Sequence, residues 1–123
     1  MAEGFGQSTS TRVVKLKKKI KGLNNPELIM MNILEVFTES EFIPDIGGYY
    51  TFIYLPKTPD ITYDEHPLVQ VTAIERWGFK AFNYHWLAMR NYTWIEVVGK
   101  MHTIRANEIE YMRSLRFEKF VTK

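Results

Sequence analysis

The chain has 123 residues, 46% hydrophobic, 15% aromatic and 24% charged, which bounds it to one globular domain with an appended segment and excludes a disordered chain. It holds no cysteine, so disulfides, thiolate nucleophiles and thiolate-bound zinc are excluded. The net charge of +2 is uneven: residues 1–25 hold six basic groups against Glu3, while the remainder holds ten basic and thirteen acidic groups. That is a basic arm on a mildly acidic body, a pattern that gains on meeting an acidic surface.

No run approaches the roughly 18 consecutive apolar residues of a membrane span. The opening MAEGFGQSTSTR lacks the apolar region of a signal peptide, so the expectation is a soluble protein used without export. Residues 1–11 are small and polar and are expected to order only on a partner chain. In RVVKLKKKIKG, Val13, Leu16 and Ile20 fall at helical spacing between lysines, and the strand VVKLK fits nearly as well. Asn25-Pro26-Glu27 is a helix start, with a capping side chain, a proline in the first turn and an acid near the positive dipole end. The run LIMMNILEVF that follows carries a stripe of Ile29, Ile33, Val36 and Phe37, with further apolar residues beside it. Apolar over more than half its girth, this helix is expected to be buried by two bodies.

SEFIPDIGG is a turn-rich connector, and YYTFIYL is the strongest strand pattern of the chain. A polar loop over 56–66 precedes a strand near 68–75, a turn at Arg76-Trp77-Gly78 and a strand near 79–86. Thr93-x-x-Glu96 has capping-box spacing and predicts a helical turn at 94–98. Gly99 closes it, KMHTIRA reads as a last short strand, and NEIEYMRSL as a short helix before the tail RFEKFVTK. The expected fold is α+β: a small, strongly bent antiparallel sheet or SH3-like barrel with flanking short helices and an extended N-terminal arm. Its expected divisions are the arm (1–25), an interface helix with its connector (26–48) and a β-rich domain with a C-terminal helix (49–123). If one strand face fills the interior, Tyr50, Phe52, Tyr54, Phe82, Tyr84 and Trp86 are candidates for an outward aromatic surface.

Chemistry is sparse. His66, His85 and His102 with Asp64 share no metal-ligand spacing, so neither a metal nor a cofactor is expected. An acid–base pair such as Glu75 with His85, facing across a hairpin, is what a small-barrel endoribonuclease would need, and the plainer reading is a strand-end charge and an edge histidine. No glycine loop for phosphate is present. The lysine run supplies phosphate contacts and makes nucleic-acid binding the alternative function.

TYDEHPLVQVTAIERWGFKAFNYHW, with YYTFIYLPKTPD before it and NYTWIEVVG and RSLRFEKF after it, resembles small virion proteins of contractile-tailed phages, notably large phages of cyanobacteria and other marine bacteria. The resemblance covers about residues 49–120 and rests on Tyr63, Asp64, Pro67, Leu68 and Val69, then Gly78, Phe79, Asn83 and His85. It departs at Trp86-Leu87-Ala88, where a Leu-Pro segment often follows. It implies a non-enzymatic structural subunit of the neck, tail or baseplate, located in the virion, whose partners are other virion proteins or further copies of itself. On that reading Lys15, Lys17, Lys18, Lys19 and Lys21 meet acidic neighbours, Ile29, Ile33 and Phe37 anchor the helix, and the Tyr50, Phe52 and Tyr54 face meets either the core or a partner.

Overall fold

The computed structural model describes residues 10–122. The polar opening expected to order on a partner lies outside the described residues over 1–9. Helix α1 (Thr11–Ile20) starts where the Ser10 side chain accepts from the Arg12 and Val13 N–H groups, and α2 (Pro26–Val36) where Asn25 does the same for Glu27 and Leu28. Each cap satisfies donors that have no partner within the helix. The basic segment is therefore not an extended arm over residues 10–25. Its apolar stripe Val13, Leu16 and Ile20 is buried, because an amphipathic helix this short gains its stability from packing and not from propensity.

Six strands form one sheet in the order β1 (Ser40–Glu41), β7 (Val97–Ile104), β2 (Tyr49–Tyr54), β4 (Leu68–Ile74), β5 (Gly78–Asn83) and β6 (Ala88–Thr93). All its pairings are antiparallel. The edges β1 and β6 do not meet, so the expected α+β class and antiparallel sheet stand while the sheet is not a closed barrel. A second sheet pairs β3 (Thr62–Asp64) with β8 (Phe120–Thr122). A 3-10 turn at Trp94–Glu96 stands where the capping-box spacing put it, and another at Ala106–Glu108 leads into α3 (Ile109–Ser114).

Both faces of the sheet are buried by the chain itself. On one side α1, α2 and α3 pack with Leu68, Ile104 and Phe117. On the other, Tyr50, Phe52, Tyr54, Val69, Val71, Phe79, Ala81, Tyr92 and Met101 form a second core. Neighbouring residues of one strand enter different cores, as with Leu68 and Val69, because side chains alternate across a strand. Register shifts between Val71 and Ala73 and between Thr51 and Ile53, the latter opposite Gly99 at φ 76°, mark bulges. Bulges sharpen twist, and here they let the aromatic face curl over itself. Its rings meet edge-on, Phe52 lying 5.4 Å from Tyr92 and 5.8 Å from Phe79.

This arrangement settles which of two alternatives the β2 face takes, the core. Tyr50, Phe52 and Tyr54 are buried and form no outward surface, and Ile29, Ile33 and Phe37 anchor α2 to its own domain. The α1 and α3 layer of the same chain covers much of the rest of α2, while Leu28 and Met31 stay exposed.

Candidate functional site

The residues that sequence reasoning weighed as chemistry are partly brought together. Asp64 ends β3 and His85 follows β5, and His85 Nδ1 donates to Asp64 Oδ2 at 2.6 Å. Asp64 also accepts from the His66 backbone N–H at 3.0 Å and from Asn83 Nδ2 at 3.4 Å. Asn83 Nδ2 reaches the Tyr92 hydroxyl at 2.9 Å, and its Oδ1 caps the His85 and Trp86 N–H groups. Burial pushes the Tyr92 hydroxyl well above its ordinary value of 10.0, with the Asn83 hydrogen bond acting the other way. The network ties the small sheet to the β5–β6 hairpin.

A cavity of ≈ 210 Å³ lies beside it, lined among others by Tyr63, Asp64, Trp86, Arg90, Tyr92 and Glu96. Its carboxylates are engaged: Glu96 accepts from the Tyr54 hydroxyl, the Thr93 hydroxyl and the Lys57 N–H. Arg90 lies over the Trp86 ring, 4.6 Å from its centroid. Among the described residues His85 Nε2 has no hydrogen-bond partner, and it is shut away from solvent. His102 stands apart, donating from Nδ1 to the Phe37 carbonyl at 2.6 Å. Glu75 and His85 do not face each other. The register Ile74↔Phe79 and Val69↔Asn83 puts them beyond opposite ends of the hairpin. Among the described residues no group of three His, Asp or Glu is placed to hold a metal ion.

Two surfaces remain. The first is apolar and lies along β7, where β1 covers only Met101 and His102. Among the described residues no strand pairs with the outer edge of β7 over 97–100. A groove of ≈ 400 Å³ there is lined by Phe42, Ile43, Trp94, Val97 and Gly99. Phe42 is 67% exposed, Ile43 65% and the adjacent Ile95 79%. Sequence reasoning took Phe42 and Ile43 for plain connector, although two large apolar residues inside a turn-rich segment were a usable signal.

The second surface is the outer side of α1. Lys15, Lys17, Lys18, Lys19 and Lys21 are all exposed. On the flanks, Lys19 pairs with Glu35 at 3.3 Å and Lys17 sits 5.1 Å from the Tyr111 ring centroid. Arg12 turns inward to Glu108 at 2.6 Å. Lys15, Lys18 and Lys21 have no ion-pair partner among the described residues. Among the described residues no helix is long and apolar enough to cross a membrane. Comparison with protein-family models, with curated proteins and with solved structures gives no match.

Proposed function

We propose that the chain is a non-enzymatic structural subunit of a phage particle, in its neck, tail or baseplate, docking on neighbouring virion proteins. One observation carries the docking: the exposed apolar groove at the open edge of β7, with Phe42 and Ile43 exposed beside the part of that edge that no strand covers among the described residues. Contiguous apolar surface beside a free edge favours a partner chain, which gains hydrophobic burial and backbone hydrogen bonds together. The likeness of residues 49–120 to tail-phage virion proteins supplies the setting.

The test is incorporation. A tagged copy expressed during infection is followed into gradient-purified particles, beside a Phe42→Glu/Ile43→Glu variant. Wild type in the particle fraction, with a folded variant left behind, supports the reading. Wild type absent from particles sinks it.

A further inference from the structure

We infer that the outer crest of α1 binds the phosphate backbone of nucleic acid without regard to sequence, through Lys15, Lys18 and Lys21.

The helix is a fixed platform. Val13 and Leu16 are fully buried, Arg12 is held by Glu108 at 2.6 Å and lies 4.5 Å from the Phe37 ring centroid, and Lys19 is held by Glu35. Every basic group on the flanks thus has a partner within the domain, Lys17 resting on Tyr111. The crest differs. At about 100° per residue, Lys18 points directly away from the buried stripe and Lys15 lies within about 50° of that direction, with Lys21 following at the helix end. The helix carries no acid of its own.

Residue type decides which polyanion fits. Interfaces with proteins are depleted in lysine and enriched in aromatic residues and arginine. The crest has no arginine and no aromatic residue, only Val14 and Thr11 between the lysines. Flexible ammonium groups that act as point charges suit phosphates, where affinity comes from counterion release. Nothing on the crest can read a base edge, so binding there positions the chain and does not select sequence. Lys17 and Lys18 also favour the negative end of the helix dipole, but Lys15 lies outside the last turn.

The experiment titrates the full chain with a labelled 25-base-pair duplex of mixed sequence between about 50 and 200 mM salt. Three neutralised phosphates give a slope of about −2.7 and a loss of roughly 40-fold over that range. Lys15→Gln/Lys18→Gln/Lys21→Gln is expected to abolish the slope, the matching triple arginine variant to restore it, and Lys57→Gln/Lys80→Gln/Lys100→Gln, equal in charge, to leave it nearly unchanged. No binding at 50 mM salt overturns the inference. So does equal weakening by the two glutamine triples, which would mean that net charge alone is sensed. Displacement of the duplex by polyglutamate as readily as by unlabelled duplex also overturns it and assigns the crest to acidic proteins.

Discussion

Replacing Glu108 by alanine tests whether α1 belongs to the domain or is an arm resting on it. Glu108 is 0% exposed and accepts from the Ser10 hydroxyl, from Arg12 Nη2 at 2.6 Å and Nε at 3.2 Å, and from the Arg105 N–H at 2.8 Å. Alanine leaves a half-buried guanidinium and a backbone donor without their acceptor. Removing one partner of a buried, hydrogen-bonded ion pair costs about 3–5 kcal/mol. For a domain of this size that is a fall in Tm of roughly 10–20 °C. Urea unfolding at pH 7 measures the loss, and hydrogen exchange locates it, with α1 amides losing protection first. The same carboxyl gives a pH signature. Burial pushes it up, but the bonds from Arg12, Ser10 and the Arg105 N–H outweigh that and hold it below 4.5. Its contribution is therefore complete above pH 4.5 and is lost as pH falls through the lower folded value. A loss under about 1 kcal/mol, with α1 exchange unchanged, would refute the reasoning and return α1 to the status of a loosely attached arm.

Three further outcomes follow from the same geometry. Gly78→Ala places a Cβ 1.8 Å from the Tyr92 carbonyl oxygen and 2.8 Å from Thr93 Cα; a backbone neighbour cannot swing aside, so a loss of about 3 kcal/mol or more in chemical denaturation is expected, and near-wild-type stability would mean that β5 and β6 are not held so close. Burial lowers His66 below 6.5 against the pull of Glu65, Asp64 and Glu27, so the neutral form is favoured in the fold, its stability is whole above pH 6.5 and declines as pH falls through the lower folded value; His66→Leu should flatten the stability profile between pH 7 and 5, and an unchanged slope would place the sensitivity elsewhere. Asp64→Asn removes the carboxylate that His85 and the His66 N–H share, for which about 2–4 kcal/mol is expected; a proton spectrum with unmoved His85 ring signals would count against that contact.

Some of this was legible because the signals were local. Asn25-Pro26 caps α2, the run YYTFIYL is β2, and Gly78 sits at the hairpin bend as expected. The missed elements depend on contacts remote in sequence. In β6 only Tyr92 is buried, so AMRNYT shows no alternation to read. Strands β3 and β8 are three residues each and exist because Thr62–Asp64 meets Phe120–Thr122 across the chain. Gly99 was read as closing a helical turn and instead forms a bulge within β7 at φ 76°. Asp64 and His85 were both singled out, but their 2.6 Å contact follows from β3 lying beside the end of β5, which no spacing rule encodes. The two-faced strands were read as one face for the core and one for a partner, because nothing in a sequence says that a sheet will curl enough to bury both.

That curl changes where a partner can bind. Had β2 offered its aromatic face outward, any substitution that weakened docking would also have weakened the fold, and the two effects could not be separated. Tyr50, Phe52 and Tyr54 are instead committed to the interior, Tyr50 through its hydroxyl to Glu41 and the Asp45 N–H. The most exposed apolar surface beside β7 comes from the connector after β1 and the 3-10 turn before β7, through Phe42, Ile43 and Ile95. These residues make little of the core, so charge placed there should cost the isolated domain less than about 1 kcal/mol while removing the hydrophobic part of docking. The crest of α1 is separable for the same reason, since its lysines lie opposite the stripe that holds the helix down. Docking at β7 and phosphate contact at α1 are thus expected to respond to different substitutions, each without unfolding the domain. A Phe42→Glu/Ile43→Glu chain that has lost its place in particles should therefore keep the salt-dependent duplex binding of wild type. Loss of both together, in a chain that still unfolds cooperatively, would mean that the two surfaces serve one contact.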